Sequence, residues 1–146
     1  MRFNKITVLG AGAWGTALAN VAARAGHGVC LWGRSSVAMQ ALASTRENPR
    51  LPGVKLDARI TPSDDLAQAA KADLILCVVP AQNTRELALQ LKSHVASSVP
   101  LVLCSKGIER GTRKFMNEVL RDELPANPIG VLSGPSFAAD VSRGLP

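Results

Sequence analysis

Three glycines near the start of the chain, Gly10, Gly12 and Gly15, form a G-x-G-x-x-G pattern. The pattern directly follows the apolar, β-branched run 6–9 and directly precedes the Ala-rich segment 16–19. In this context the glycines make a tight turn, and the N–H groups of the helix N-terminus favour an anion. The pattern therefore predicts that a dinucleotide crosses this turn. The alternative is a turn whose glycines serve packing alone.

Arg34 and Ser35 follow the next apolar run, about 20 residues beyond the glycines, where an NAD enzyme usually places Asp or Glu against the ribose 2′-hydroxyl. No acid stands there in this sequence. Arg34 can pair with a 2′-phosphate, and Ser35 can donate a hydrogen bond to the same group. These two residues favour NADP over NAD, with an exposed loop arginine as the alternative.

Three later loops also follow apolar runs and are expected at the same edge of the sheet. The backbone around Pro80 is expected to line the nicotinamide half of the cofactor; the alternative is that Pro80 only ends the strand and sets the turn. Lys106, beside Gly107, is placed to reach an anionic or carbonyl oxygen, although a solvated surface lysine fits the spacing equally well. Ser136, in the loop 133–138, offers a hydroxyl to an anion or else caps a helix.

The pattern along the chain alternates apolar strand candidates with helical segments, which predicts a Rossmann-type, doubly wound α/β fold. The sheet is expected to be mainly parallel, with helices on both faces, in one domain over residues 1–146. Strands are predicted at residues 6–9, 29–32, 58–61, 74–79, 101–104 and 129–132. Helices are predicted at residues 14–25, 37–46, 63–70, 83–94 and 112–124.

Local signals set several expected boundaries between these elements. Gly26 is expected to stop the first helix, and Ser63 is expected to cap the third. Two prolines interrupt the periodicity at residues 48–53, which form either a plain connection or a rim of the site. The chain ends at Pro146 without a terminal pattern, which indicates a truncated sequence.

Composition narrows the functional class. The net charge is +6, but the basic residues are scattered in runs of at most two and Tyr is absent, so nucleic-acid binding is not expected. A phosphorylated small molecule and an anionic cofactor explain the positive charge better. No segment is apolar over the roughly 18 residues that span a bilayer, so we expect a cytoplasmic protein.

Three cysteines, Cys30, Cys77 and Cys104, each lie in an apolar run without C-x-x-C spacing. Such residues behave as small buried hydrophobes in a reducing compartment. Neither a disulfide nor a metal site is expected.

Six motifs together resemble the NAD(P)-dependent glycerol-3-phosphate dehydrogenases of the bacterial type. They are GAGAWGTALA at 10–19, LWGR at 31–34, NPRLPG at 48–53, VPAQ at 79–82, SKGIE at 105–109 and SGPSFA at 133–138. Each motif alone is generic, but their order and spacing over nearly the whole chain are specific. The resemblance implies reversible hydride transfer that joins dihydroxyacetone phosphate to sn-glycerol 3-phosphate, in support of glycerophospholipid synthesis.

The resemblance also implies roles for particular residues. Trp14, Arg34 and Ala138 are expected to contact the dinucleotide. Ala13 departs from the serine that is frequent in relatives, which leaves only its backbone donor for the phosphate. Lys106 is expected to touch both cofactor and substrate. The substrate site is further expected to include Gly134 and Ser136.

By the same resemblance, the general acid/base is a lysine of an all-helical C-terminal domain that is absent from this sequence. That domain also carries the dimer surface of the family. We therefore expect the chain to bind cofactor without turnover, and its parent to be a homodimer.

Two alternatives stay open at this point. One is another dehydrogenase with a similar N-terminal domain, such as a ketopantoate reductase or a hydroxyacyl-CoA dehydrogenase, against which the loops 105–109 and 133–138 speak. The other is a dinucleotide-binding module without catalysis.

Overall fold

The computed structural model describes residues 3–145 and contains a six-stranded sheet in the order β3-β2-β1-β4-β5-β6. The strands are β1 (Lys5–Leu9), β2 (Gly28–Trp32), β3 (Ile60–Ser63), β4 (Leu74–Cys77), β5 (Leu101–Leu103) and β6 (Ile129–Val131). All five strand pairs are parallel. This order reverses between β1 and β4, as in Rossmann-type sheets, so the predicted fold class is confirmed.

Helices cover both faces of the sheet. They are α1 (Ala13–Arg24), α2 (Ser36–Thr45), α3 (Leu66–Ala69), α4 (Thr84–Leu91), α5 (Met116–Glu123) and α6 (Ala138–Ser142). A short 3₁₀ turn at Ala81–Asn83 precedes α4. The crossovers place the carboxyl ends of all six strands at one edge, where ligands bind in open α/β sheets.

Each face of the sheet has its own apolar core, because side chains alternate along each strand. Each core packs against a different set of helices. In β1, Val8 faces the core that also contains Ala19 of α1 and Leu42 of α2. Leu9 faces the opposite core, which contains Leu91 of α4 together with residues of α5. The apolar strand runs therefore reflect burial on both faces.

Several predicted boundaries are wrong by a few residues. β3 starts at Ile60 rather than at 58 and includes Pro62, which an edge strand tolerates because one side of it has no ladder partner. β4 ends at Cys77 rather than at 79 because the chain turns at Pro80. The fifth helix starts at Met116 instead of 112.

Residues before α5 form a small hairpin rather than a first helical turn. Ile108 and Phe115 pair in an antiparallel bridge, and Arg113 takes a positive φ of 59°. Glu118 then accepts a hydrogen bond from the Phe115 amide at 2.8 Å, which fixes the helix start.

The predicted helix signals had mixed outcomes. Gly26 stops α1 as expected, with a φ of 97° and its N–H bonded to the Ala23 carbonyl. Ser63 does not cap α3, because it belongs to β3. Asp65 is the cap, and its carboxylate accepts from the Gln68 amide at 3.0 Å.

Ser136 does not cap α6, because Phe137 occupies that position.

Within residues 3–145, no helix is both long and apolar enough to cross a membrane.

Candidate functional site

The glycine turn between β1 and α1 is shaped by two close backbone approaches. Gly10 has a φ of 123°, and a Cβ added to it would lie 2.8 Å from the carbonyl atoms of Val78 at the end of β4. A Cβ on Gly15 would lie 1.8 Å from the Gly10 oxygen. Neither position accepts a side chain without moving backbone, so the turn packs tightly on itself and on β4.

Gly12 is glycine for a different reason. A Cβ added there would meet no atom within 4 Å, so this position faces open space at the N-terminus of α1. The first turn of α1 contains no acidic residue. The first amides of a helix lack intrahelical partners, and so the N–H groups of Ala13 and Trp14 are available to an anion there.

A buried asparagine supports this turn from the other side. The Asn48 side-chain amide donates to the Ala11 carbonyl at 3.1 Å and to the Thr16 hydroxyl at 2.7 Å. Thr16 in turn donates to the Gly12 carbonyl at 2.8 Å. The 48–53 loop therefore buttresses the glycine turn. Sequence reasoning left the role of this loop open, because its contact with the turn exists only in the folded chain.

Arg34 and Ser35 lie directly after β2, at one end of the site. Arg34 is exposed, and its guanidinium has no hydrogen bond or ion pair among the described residues. Ser35 caps α2, its hydroxyl oxygen accepting from the Ala38 amide at 3.2 Å, so its proton remains available to an acceptor. Beside them, Ser36 donates to the Asp64 carboxylate.

Lys106 lies directly after β5, at the other end. Its Nζ donates to the Gly134 carbonyl at 2.9 Å and so joins the loops that follow β5 and β6. Lys106 and Gly134, which are both predicted site residues, are thus neighbours in the fold. Lys106 is exposed at the edge of the sheet.

A cleft of about 410 Å³ lies beside Lys106, between α1 and the loops after β5 and β6. Trp14, Gly134 and Ser136 line it together with Lys106. Burial raises the pKa of the Cys104 thiol in its wall to about 12, so that thiol stays protonated and behaves as an apolar group.

Helix α6, which Ala138 begins, is docked onto α1 beside this cleft. The Arg24 guanidinium donates to the carbonyls of Ser142 at 2.8 Å and Val141 at 3.0 Å. Because these carbonyls are at the end of α6, a cation is also favourable there.

The structure therefore spreads the predicted residues along the edge of the sheet. Arg34 and Ser35 follow β2, the glycine turn and Pro80 lie at the middle strands, and Lys106, Gly134 and Ser136 lie at the far loops. An extended ligand with phosphates at its centre suits such a site. In the described part of the chain, no group of three His, Cys, Asp or Glu residues is arranged to hold a metal ion.

The sequence indicated no role for the side chains of two residues that contact the loop of Lys106. Gln82 bonds to the loop backbone, and Arg85 pairs with Glu109. Gln82 stands in the VPAQ motif, but nothing in the spacing indicates which backbone groups it meets.

A parallel sheet whose order reverses beside a tight glycine turn defines a Rossmann-type nucleotide-binding domain. The family model described as the N-terminus of NAD-dependent glycerol-3-phosphate dehydrogenase matches residues 5–146, and the chain belongs to that family.

Curated relatives and solved structures agree with this membership. The chain is 58% identical over 144 residues to a glycerol-3-phosphate dehydrogenase (NAD(P)+) of Afipia carboxidovorans, covering 99% of this chain and 44% of the relative. The crystal structure of glycerol-3-phosphate dehydrogenase from Coxiella burnetii superposes with a TM-score of 0.91 at 34% identity, over 98% of this chain and 44% of that one. The enzyme from Saccharomyces cerevisiae gives a TM-score of 0.86 at 28% identity, over 97% of this chain and 45% of that one. The chain thus spans less than half the length of these relatives.

Proposed function

We propose that this chain is the cofactor domain of a glycerol-3-phosphate dehydrogenase, which reversibly reduces dihydroxyacetone phosphate to sn-glycerol 3-phosphate with NADPH or NADH. The observation that carries the proposal is the family match over residues 5–146, joined to a glycine turn that leaves open space at a helix N-terminus. The product feeds glycerophospholipid synthesis.

The residues of the glycine turn fit a dinucleotide diphosphate. The open position at Gly12 admits the diphosphate, and the amides of Ala13 and Trp14 lie there at the positive end of the helix dipole. Gly10 contributes by keeping the turn flush against β4. These features orient a cofactor along the edge of the sheet.

Arg34 and Ser35 set the preference for the adenosine end of the cofactor. The Arg34 guanidinium is exposed and has no partner within residues 3–145, so it can bind a 2′-phosphate through charge-assisted hydrogen bonds, and the Ser35 proton adds another. NADPH is therefore the preferred form. Pro80 and Ala138 border the site at the middle strands and at the start of α6.

Lys106 is the candidate catalytic residue of this chain. When bound, the reduced nicotinamide supplies a hydride to the substrate carbonyl carbon. The Lys106 ammonium, held beside Gly134, stabilises negative charge that develops on the substrate oxygen. Gly134 and Ser136 offer polar groups to the substrate in the adjoining cleft.

The test is an assay of the natural protein that carries this chain. We expect it to oxidise NADPH when dihydroxyacetone phosphate is added, and to reduce NADP⁺ with sn-glycerol 3-phosphate. Ketopantoate and an acetoacetyl-CoA substrate are the controls for the related dehydrogenases. Turnover of a control but not of dihydroxyacetone phosphate would overturn the proposal, and turnover of none would favour a binding module.

From the family resemblance we further propose that the natural protein is a cytoplasmic homodimer that binds no nucleic acid. Light scattering at assay concentrations tests the dimer, and cell fractionation tests the location. A monomer that is fully active would contradict the first statement.

A further inference from the structure

The loop that carries Lys106 is held from one side by residues of the 3₁₀ turn before α4 and of the first turn of α4. Gly107, directly after the lysine, has a φ of 143° and lies against Ala81, so that an added Cβ would be 3.0 Å from the Ala81 side chain. The next three residues of the loop face Gln82 and Arg85. The base of the Lys106 side chain is thus placed by contacts that begin one residue beyond it.

Gln82 uses both ends of its side-chain amide on this loop. Its Nε2 donates to the Ile108 carbonyl at 3.0 Å, and its Oε1 accepts from the Arg110 amide at 3.0 Å. Two such bonds to alternate residues are what a neighbouring strand provides in a ladder. A single side chain therefore bonds to the loop backbone on both sides of Glu109.

Arg85 holds Glu109, the residue between Ile108 and Arg110. Its guanidinium pairs with both Glu109 carboxylate oxygens, at 2.7 and 2.8 Å, and also contacts Asp122 at 3.2 Å and Glu123 of α5. A bidentate guanidinium–carboxylate pair fixes orientation as well as distance. Gln82 and Arg85 together are called the loop clamp below.

Lys106 itself makes little contact that would fix its loop. Its only hydrogen bond among the described residues joins Nζ to the Gly134 carbonyl, and the side chain is exposed. The flexible lysine stem has several rotatable bonds, so this one bond leaves the backbone path undetermined. Gln82 and Arg85 supply the contacts to the loop that Lys106 itself does not make.

The clamp also connects Lys106 to the centre of the site. Gln82 belongs to the 3₁₀ turn at Ala81–Asn83, directly after Pro80. The strand end before Pro80 meets the glycine turn, where Gly10 lies against the Val78 carbonyl. The contacts of Gln82 therefore link the position of Lys106 to the backbone on which the cofactor is expected to lie.

We propose that Gln82, assisted by Arg85, is a positioning residue for Lys106. The inference rests on the proposed function, in which Lys106 contacts cofactor and substrate. Gln82 acts through the backbone at Ile108 and Arg110, without touching the substrate. When the Gln82 amide is lost, the fold remains but Lys106 samples more positions. Catalysis therefore falls more than stability does.

The test replaces Gln82 by methionine in the natural protein, which removes both polar ends at similar length. The control is Gln90→Met, because Gln90 lies on α4, the helix that follows the turn of Gln82, and its side-chain amide contacts only Glu86 among the described residues, at 3.4 Å. We expect kcat/KM for dihydroxyacetone phosphate to fall about 10-fold in Gln82→Met and to stay at the wild-type value in the control.

Two readouts separate positioning from a general loss of structure. Hydrogen exchange of a peptide over residues 107–111 should be faster in Gln82→Met, because the Arg110 amide loses its acceptor. In a double-mutant cycle, Gln82→Met should lower kcat/KM no further once Lys106→Ala is present.

Equal losses in both backgrounds, or faster exchange with unchanged kinetics, would overturn the inference while leaving the proposed function intact. A wild-type protein that does not reduce dihydroxyacetone phosphate would overturn the proposed function, and this inference with it.

Discussion

The two ends of the candidate site are built by different means. At the glycine turn, backbone lies on backbone: a Cβ at Gly15 would come within 1.8 Å of a carbonyl oxygen, and the supporting Asn48 is 5% exposed. At the Lys106 loop, the Gln82 amide holds the backbone and the Arg85 ion pair holds the Glu109 carboxylate. The first end depends on shape and accepts no side chain at Gly10 or Gly15, whereas the second depends on side-chain contacts that can be removed one at a time.

The largest effect is expected at the glycine turn, for Gly15→Ala. Because the new methyl group collides with backbone, we expect a loss of unfolding free energy of about 3 kcal/mol and no measurable NADPH binding. Urea unfolding and a fluorescence titration measure the two quantities. Gly12→Ala is the matched control: it should fold normally, because no atom lies within 4 Å of its new Cβ, yet bind NADPH more weakly. A Gly15→Ala chain as stable as the wild type would show that the turn is not packed tightly on its own backbone.

At the other end, Lys106→Ala should reduce catalysis without reducing stability. Loss of an ammonium that stabilises a developing oxyanion lowers kcat by about 10²- to 10³-fold. Steady-state kinetics on the natural protein, beside thermal unfolding, check both halves of the statement. Lys92→Ala, an exposed lysine at the end of α4, is the control. Unchanged kinetics would remove Lys106 from the mechanism.

A smaller and more selective effect is expected for Arg34→Ala. The guanidinium has no partner to lose in the described part of the chain, so stability should not change, while NADPH binding should weaken about 10-fold more than NADH binding. Parallel titrations with the two cofactors give the ratio, with Arg121→Ala on α5 as the control. Equal weakening for both cofactors would rule out a 2′-phosphate contact.

The smallest effect concerns the ion pair of the loop clamp and its dependence on pH. Hydrogen bonds from Arg85 and then Thr112 lower the pKa of Glu109 from 4.5 to about 2. Because the folded-state pKa is the lower one, the pair stabilises the fold above about pH 4.5 and its contribution is lost as the pH falls toward 2. Glu109→Gln should therefore lower Tm near neutral pH, by no more than about 3 °C for a pair near the surface.

The difference in Tm between wild type and Glu109→Gln should shrink as the pH is lowered through this range. Glu86→Gln, on the exposed side of α4, serves as the control. A difference that stays constant down to pH 2 would show that Glu109 acts through packing and not through its charge.

The same contrast explains what the sequence predicted well. The presence of six strands and the tight glycine turn follow from apolar runs and glycine spacing, which are local signals, and both are as expected. Boundaries shifted where a tertiary contact won over local pattern: Ser63 pairs in β3 instead of capping α3, and the bridge of Ile108 with Phe115 replaces the first turn of the fifth helix.

The contacts made by Asn48 and Gln82 were beyond sequence reasoning for one reason. Both side chains bond to backbone groups more than 20 residues away, so no spacing rule identifies them. The roles of Arg34, Ser35, Lys106 and Ser136 remain predictions, because their contacts depend on a ligand.

The most direct test of the account is a titration of this chain with NADPH and with NADH at one moderate ionic strength, followed by nicotinamide fluorescence or heat. We expect saturable binding of both cofactors, tighter for NADPH, and weakened for each in Gly12→Ala. A folded chain that binds neither cofactor would contradict the central claim that the glycine turn at the N-terminus of α1 holds a dinucleotide.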